Sequence, residues 1–403
     1  MFTINGYTVV FFKTASPNVM VKCAINNGFV HETVATSGVN HLLEHVLTEA
    51  WAECGKSCSE YWGHKGVTMN ASTEDTTLTY FTEGLAVHLR DMVTYIVSIT
   101  QHPFFEKKTI EKEKKAVVNE LLTYGDDPTS AVDHVFNQAF YILDGLKHMD
   151  DWKLQIKNLK HLHMPELKQI YAENYNPKNT LFVVSGNFNS AQAKALFATN
   201  LKDKPLGSVR VPQCFSYVAQ TLYIPRKSAP TSYVVFGFPS DLKNNDPDYA
   251  LVEPVVNVVN SLLFDVLRTQ HNLIYNAEVE TTTNACGTHT CISIYVHDRH
   301  LRQCRDRVFE QITLYSKYVF LPERIEAAKT QAIVLRNNSL LNANFYVEQY
   351  IHQMDNPNPV VLTPQERLAK IQSIDGPKLL AVFRRLFDLK SVLCVYQGKT
   401  KVL

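Results

Sequence analysis

The sequence predicts an α+β protein made of two α/β sandwich domains, each an antiparallel-rich sheet covered by helices, joined by a linker. The chain has 403 residues, of which 45% are apolar and 20% charged, enough for the cores of two or three domains. In both halves, short β-type apolar runs are separated by longer amphipathic stretches. The second half repeats the plan of the first more loosely. We expect a first domain at 1–203, a linker at 204–214 and a second domain at 215–403.

The predicted elements follow from periodicity and from the turn residues between them. Thr77, Thr79 and Phe81 alternate with Leu78 and Tyr80, as in a half-buried strand. The predicted linker contains two prolines and a glycine and has little periodicity. Strands are expected at 7–12, 19–25, 76–83 and 180–184 and then at 232–238, 275–282, 290–296 and 392–396. Helices are expected at 40–53, 86–100, 107–124, 129–140 and 164–173 and then at 247–269, 301–319, 322–337, 345–353 and 378–386.

The first predicted helix carries the most specific chemical signal in the chain, the H-x-x-E-H string from His41 to His45. Residues i and i+4 share a helix face, so both imidazoles point the same way and offer half of a zinc site. Glu44 faces the same side and is free to act as a base. This order defines the inverzincin class of metallopeptidases, although isolated matches also occur in helices whose histidines pack or face water.

A catalytic zinc needs three protein ligands, and the charged helix 107–124 offers a third. Glu113 and Glu120 are seven residues apart and therefore share a face. Glu120 has apolar neighbours in the sequence, where a buried carboxylate would be costly unless it bound a cation. We expect Glu120 to be the third ligand of one zinc per chain. Glu113 is expected to orient a ligand histidine, or else to lie on a solvated helix face.

These residues resemble the pitrilysin family of zinc peptidases, which includes insulin-degrading enzyme and the mitochondrial processing peptidases. In that family, as here, a second glutamate lies on a later helix. Residues 257–260 read N-V-V-N where the processing peptidases carry a glycine-rich stretch, which argues against presequence cleavage. The further matching segments are Asn27-Gly28 with Glu32, the stretch 66–73, Asn174-Tyr175-Asn176-Pro177 with the strand after it, and Arg268 with Tyr275.

The resemblance implies roles for two further groups of residues. Asn70, Ala71 and Ser72 would lie on an edge strand beside the zinc, where substrate adds as a further strand. A plain edge strand is the alternative. Arg268 would position substrate carbonyls and Tyr275 would donate its hydroxyl to the oxyanion or the substrate backbone. The alternative for Arg268 is a residue in the last turn of a helix, favoured there by the helix dipole.

The charge, the hydropathy and the cysteines of the chain indicate its expected partners and location. The net charge of +1 gives no electrostatic case for nucleic acid or an anionic membrane. No run of 18 apolar residues was found, and the N-terminus has no signal or transit peptide pattern, so we expect a cytoplasmic location and no membrane partner. The eight cysteines are then expected to be free thiols, mostly in the core. A second metal site at Cys54, Cys58 and His64 is a minor alternative.

The expected function is a zinc-dependent endopeptidase or oligopeptidase acting on extended or unfolded peptides, with Glu44 as general base. The alternatives are a catalytically silent pitrilysin-like subunit and a peptide-binding module in a larger complex. Larger relatives build a closed chamber from four domains in one chain. A chain with two such domains is expected to pair, as a homodimer or with a related subunit.

Overall fold

The computed structural model describes residues 1–55, 57–127, 129–140, 151–210, 218–226, 231–283, 286–318, 320–341, 344–354 and 360–403. Its strands, in chain order, are β1 (Phe2–Ile4), β2 (Tyr7–Lys13), β3 (Asn18–Ile25), β4 (Thr68–Thr73), β5 (Leu78–Leu85), β6 (Thr180–Gly186), β7 (Gln220–Pro225), β8 (Thr231–Ser240), β9 (Ile274–Thr283), β10 (Thr288–His297) and β11 (Leu393–Gly398).

Its α-helices run from the metal-motif helix near the N-terminus to a C-terminal helix before the last strand. They are α1 (Val39–Thr48), α2 (Cys58–His64), α3 (Leu89–Gln101), α4 (Lys107–Asp126), α5 (Ser130–Phe140), α6 (Trp152–His161), α7 (Met164–Asn174), α8 (Ser190–Asn200), α9 (Val252–Leu263), α10 (Leu301–Lys317), α11 (Pro322–Leu341), α12 (Asn344–Ile351), α13 (Pro364–Gln372) and α14 (Gly376–Leu386). A π-helical segment, Phe264–Gln270, continues α9.

The chain forms two compact units whose sheets share one plan, which confirms the predicted fold class. Among the described residues, the first sheet has the order β1-β2-β6-β3-β5-β4 and the second has the order β7-β11-β8-β10-β9. In each sheet one strand pair is parallel, β2 with β6 and β7 with β11, and the other pairs are antiparallel. Apart from β1, the two orders correspond strand for strand, so the predicted repeat of the plan is confirmed.

The compact units do not coincide with the two halves of the chain. The first contains residues 1–124, 151–213 and 338–357, and the second contains 125–150, 214–337 and 358–403. The predicted sequence domains, 1–203 and 215–403, stay a prediction. Of the predicted linker 204–214, the described part up to Arg210 has no regular secondary structure, and the rest lies outside the described residues.

The first sheet is buried on both faces at its centre. Phe182 and Val184 of β6 face a large core with α1 and α3. The alternate residues, Leu181 and Val183, belong to a second cluster that includes Val347 and Ile351 of α12. Burial on both faces explains why β6 is an uninterrupted apolar run rather than an alternating one. A helix from late in the chain therefore completes the first unit.

The second unit is completed in the same way by a helix from early in the chain. Helix α5 packs on β8 and β11. Gly237 on β8 makes room for it, because a Cβ there would lie 2.3 Å from the ring of Phe136. The other face of this sheet packs on a core formed with α9, α10 and α14.

One helical stretch in the second unit, Tyr249–Gln270, is long and apolar enough to cross a membrane by length and composition. An 18-residue window of this stretch has a mean hydropathy of 1.6, and 67% of that window is buried inside the protein. It packs against β9 and α14 and supplies much of the core, including Val255, Val259 and Leu263. This stretch is apolar because it forms part of the core of the second unit.

Most described elements were predicted from the sequence. The helix predicted at 40–53 ends at Thr48. Helices α2, α6, α8 and α13 and strands β1 and β7 were not predicted. The predicted helix 301–319 ends at Lys317, and the predicted helix 345–353 ends at Ile351. Each unpredicted helix begins at a capping side chain that accepts the backbone N–H of the third helical residue, and these caps are Ser57, Asp151, Asn189 and Thr363.

The expectation of free thiols is wrong for at least three cysteines. Cys54 and Cys58 form a disulfide, and Cys286 is also disulfide-bonded. Cys54 and Cys58 are therefore not metal-binding thiolates, and the minor alternative of a metal site with His64 is wrong. Cys23, Cys304 and Cys394 are free and buried, as expected of small core residues, and Cys291 is free and half-buried.

Candidate metal centre

The metal-motif helix α1 begins at a glycine and is held by its apolar face. Gly38 precedes it with φ at +91°, a left-handed conformation that a side chain would strain. A Cβ at Gly38 would also lie 3.0 Å from the Gln155 side chain. The residues that pack into the core are Val39, Leu42, Leu43, Val46 and Leu47. Burial of this face leaves His41, Glu44 and His45 on the half-buried side of the helix.

A buried carboxylate caps the start of this helix. The Glu32 side chain is only 5% exposed. One oxygen accepts the backbone N–H of Gly38 at 2.9 Å and the other accepts the N–H of Asn40 at 2.7 Å. These N–H groups have no partner within the helix, so the two bonds cap its start. Burial raises the pKa of Glu32 to about 8, and the hydrogen bonds from Asn40 and Gly38 partly offset the rise. The family resemblance marks Glu32 without giving this role.

Arg210 joins the loop before α1 to the end of α7. Its guanidinium donates to Asn27 Oδ1 at 2.7 Å, to Asn174 Oδ1 at 2.6 Å and to the His31 carbonyl at 3.1 Å. Asn27 in turn donates to Asn40 Oδ1 at 2.7 Å. Arg210 is far from these residues in the sequence, and nothing in its local pattern indicated a role. Together with Glu32 it fixes the segment that carries the two histidines.

We expect Glu32→Ala to destabilise the first unit by about 2 kcal/mol or more, because it leaves two buried N–H groups without an acceptor. Urea unfolding of the protein with and without zinc measures this. Glu60→Ala is the matched control, since Glu60 is exposed on α2 and its replacement should change stability by no more than about 0.5 kcal/mol. Equal stabilities for Glu32→Ala and Glu60→Ala would show that the cap contributes nothing.

Three potential ligands converge where α1 meets α4. His41 Nε2 lies 3.3 Å from Glu120 Oε2, and His45 Nε2 lies 3.4 Å from the same oxygen. One ligand atom from each of the three residues lies within 4.8 Å of the others. Two imidazoles and a carboxylate are a typical donor set for catalytic zinc. The residues present therefore fit a zinc ion.

Glu113 and Glu120 on α4 differ in burial, and Glu120 is more exposed than expected. Glu120 was expected among apolar neighbours, but 57% of its side chain is exposed. Glu113 is the buried one, with 9% of its side chain exposed. Its Oε2 lies 3.4 Å from His45 Nδ1, so it lies beside the ring nitrogen that faces away from Glu120. Glu113 therefore does not lie on a solvated face.

The protonation equilibria of these groups favour neutral His41 and a positive charge near His45. Burial, and to a smaller extent the neighbouring His45, lower the pKa of His41 to about 4. Burial also lowers the pKa of His45, but the hydrogen bond to Glu113 and the charges of Glu120 and Glu44 outweigh it, so the pKa is raised. The hydrogen bond with His45 lowers the pKa of Glu113. Three carboxylates around one imidazole favour a cation here, a proton or a metal ion.

Glu44 lies beside this group and is held by the last residue of the stretch 66–73, which matches the family but had no predicted role of its own. Thr73, at the end of β4, donates its hydroxyl to Glu44 Oε2 at 2.6 Å. Burial raises the pKa of Glu44, and the hydrogen bond from Thr73 partly offsets the rise. A carboxylate held in place with a raised pKa has the properties of a general base near neutral pH.

Asn70, Ala71 and Ser72 lie on β4, which is an edge strand of the first sheet as described. Strand β4 pairs with β5, and its last residue is the Thr73 that bonds Glu44. Asn70 Oδ1 accepts the backbone N–H of Ala71 at 2.9 Å. The strand is therefore placed beside the cluster, with its other edge unpaired in the described residues.

Arg268 and Tyr275 lie together in the second unit. The Arg268 guanidinium is 5.1 Å from the centre of the Tyr275 ring, and it also donates to the Ile274 carbonyl at 3.0 Å. Tyr275 is 80% exposed. The carbonyl bond ties Arg268 to the start of β9, which is a structural role that the sequence did not indicate.

Two models of known protein families match the chain. The family model described as Insulinase (Peptidase family M16) matches residues 8–148, and the model described as Peptidase M16 inactive domain matches residues 162–332. The chain therefore belongs to peptidase family M16, the pitrilysin-like family that its sequence resembles.

Among curated relatives, the chain is 24% identical over 192 residues to the uncharacterized zinc protease YmxG of Bacillus subtilis, covering 47% of this chain and 46% of that protein. It is also 24% identical over 192 residues to the mitochondrial-processing peptidase subunit beta of Dictyostelium discoideum, covering 47% of this chain and 40% of that protein. The matches thus span less than half the length of each relative.

Solved structures match over nearly the whole chain. A protease from Helicobacter pylori superposes with a TM-score of 0.86 at 15% identity, covering 98% of both chains. A peptidase M16 inactive domain from Pseudomonas fluorescens gives a TM-score of 0.86 at 16% identity, covering 100% of this chain and 98% of that one. At these identities the likeness shows the two-unit fold.

Proposed function

We propose that the protein is a zinc-dependent endopeptidase or oligopeptidase that cleaves extended or unfolded peptides. The observation that carries the proposal is the convergence of His41, His45 and Glu120, with Glu44 beside them. The family membership and the relatives named as zinc proteases support it.

In this proposal His41, His45 and Glu120 would hold one zinc ion. A bound zinc would supply Lewis-acid chemistry, polarising the scissile carbonyl and acidifying a water molecule. Glu44 would accept a proton from the attacking water and return it to the leaving amine. The hydrogen bond from Thr73 holds one Glu44 oxygen, which leaves the other for proton transfer.

Substrate binding is proposed for β4 and for the pair in the second unit. A peptide strand added at Asn70, Ala71 and Ser72 would be held mainly by backbone hydrogen bonds, which suits varied unfolded sequences. The Ala71 N–H would exchange its bond with Asn70 for one to the substrate. Tyr275 would donate its hydroxyl to the substrate or the oxyanion, and Arg268 would bind substrate carbonyls.

Cleavage of a quenched peptide library, read by mass spectrometry, tests the proposal. We expect cleavage that 1,10-phenanthroline stops and that one zinc per chain restores. Unfolded casein should be cut faster than a folded protein of similar size. A zinc-loaded protein that binds these peptides without cutting them would favour the silent subunit or the peptide-binding module, and a relative described as an inactive domain keeps that alternative open.

We expect Glu113→Gln to weaken zinc binding by about 10- to 100-fold, because Glu113 fixes the orientation of the His45 ring and raises its basicity. Competition with a chromophoric chelator measures the affinity. Glu111→Gln is the control, since Glu111 lies on the same helix with 52% of its side chain exposed. If both variants bind zinc as tightly as the parent, Glu113 does not support the metal site.

Assembly and location are also proposals. We propose that the chain works as a homodimer, or as a heterodimer with a related subunit, and light scattering with a parallel activity assay tests this. A fully active species of 45.8 kDa at micromolar concentration would contradict it. A cytoplasmic location stays a prediction, and disulfides such as Cys54–Cys58 are more frequent in oxidising compartments.

A further inference from the structure

The first unit contains a cavity of about 650 Å³ that shares no residue with the candidate metal centre. It lies where the end of α3, the helix α7 and the segment 204–207 meet. This volume is within the range of small-molecule sites, roughly 300 to 1,000 Å³. Its main lining residues are Gln101, Phe105, Lys168, Tyr171, Tyr175 and Lys204.

Aromatic rings form much of the wall. The rings of Phe105 and Tyr171 meet edge to face, with 5.6 Å between their centres, and the rings of Tyr171 and Tyr175 are 4.7 Å apart. Tyr175 is buried, whereas Phe105 and Tyr171 are half-buried and present ring surface to the cavity. A flat apolar group could pack on these rings.

A half-buried ammonium lies against the same wall. Lys204 Nζ is 3.1 Å from Tyr171 Oη and 3.3 Å from Gln101 Oε1, both uncharged, and 5.1 Å from the centre of the Tyr171 ring. No carboxylate of a described residue lies within 4 Å of it. Burial lowers the pKa of Lys204 to about 8, so an anion that paired with it would relieve an unfavourable burial.

The buried amide beside it has an unused donor. Gln101 is 2% exposed, and its oxygen accepts from Tyr7 Oη at 2.7 Å and from Lys204. Its Nε2 has no hydrogen-bond partner among the described residues. Lys168 lies on the rim with its ammonium 5.9 Å from the Phe105 ring, and Glu173 is the acidic residue of the lining. Cationic and donor groups therefore outnumber acidic ones around an aromatic wall.

We propose that this cavity binds a small organic anion with a flat apolar body, such as an aromatic carboxylate or sulfonate. Lys204 pairs with the anionic group, and the body packs on Tyr171 and Phe105. The site is separate from the proposed peptidase centre, and its test needs no catalytic activity.

Fluorescence titration of the full chain with 8-anilinonaphthalene-1-sulfonate, and with its uncharged analogue N-phenyl-1-naphthylamine, tests the proposal. We expect saturable binding of the sulfonate at one site, with displacement by 2-naphthoate. Lys204→Met keeps the apolar stem and removes the charge, and should weaken sulfonate binding by about tenfold or more while changing binding of the neutral analogue by no more than about twofold. Lys202→Met, on the same segment but outside the lining, is the control and should bind like the parent.

A second variant keeps the test independent of any loss of stability at Lys204. Ala172 lines the cavity and is exposed on α7, so Ala172→Trp should fold and should block both probes. Binding of the sulfonate by Ala172→Trp as tight as that of the parent would overturn the proposal, as would equal binding by the parent and Lys204→Met. Absence of saturable binding by the parent up to about 1 mM would overturn it as well.

Discussion

Replacing Glu44 with glutamine is expected to remove nearly all peptide turnover while leaving zinc bound. The side chain keeps its size, and its oxygen can still accept the hydrogen bond from Thr73. The amide cannot accept a proton, so the general base contribution of about two to four decades in kcat is lost. Parallel measurement of kcat on a quenched peptide and of zinc by mass spectrometry separates the two effects.

Glu60→Gln is the control for this change, because Glu60 is exposed on the neighbouring helix α2. It should keep both turnover and zinc. A turnover of Glu44→Gln within about threefold of the parent would rule out Glu44 as the base. Loss of zinc from Glu44→Gln would mean that the residue supports the metal site rather than the proton transfer.

Replacing His45 with alanine is expected to remove both zinc and activity. His45 lies within reach of the shared Glu120 oxygen through one ring nitrogen and of Glu113 through the other, so its loss leaves two candidate ligands and leaves Glu113 with only its ion pair to Lys112. The loss of zinc affinity should exceed the roughly 10- to 100-fold typical of outer supporting residues. Metal content after dialysis against a weak chelator measures it.

His64→Ala is the matched control, since His64 is an exposed histidine on α2 outside the cluster. It should bind one zinc and cut peptides at the parental rate. If His45→Ala keeps stoichiometric zinc and full activity, the ligand assignment is wrong. If Glu120→Gln behaves like the parent while His45→Ala does not, the third ligand is another residue.

The candidate metal centre was the most predictable part of the chain, because its core is local. The spacing of His41 and His45 fixes their common face on a helix, whatever else the chain does. Glu120 was expected to be buried and is exposed, since the face that α4 turns towards α1 depends on packing between distant segments. The role of Arg210 was not predicted either, because its partners lie on segments that are distant in the sequence.

The fold class was predictable from periodicity, but three features depended on information outside the local pattern. Helix α1 was extended by five residues because Glu49 to Glu53 have helical composition, whereas the structure places a 3-10 turn and the Cys54–Cys58 disulfide there. The cysteines were expected to be free because of an argument about compartment rather than about geometry. The assignment of α5 and α12 to sheets in the opposite half could not be read from either helix alone.

The contribution of α12 to the first sheet has a consequence for biosynthesis. Val183 and Val347 belong to one buried cluster, yet the ribosome makes the second long after the first. At about 5 to 20 residues per second, the interval is roughly 10 to 30 seconds. During that time Val10, Ala24 and Leu181 lack their helical cover, so the nascent first half has an exposed apolar face that attracts chaperones or aggregates. A chain truncated after residue 203 would keep that face permanently, which makes this half unsuitable for expression by itself.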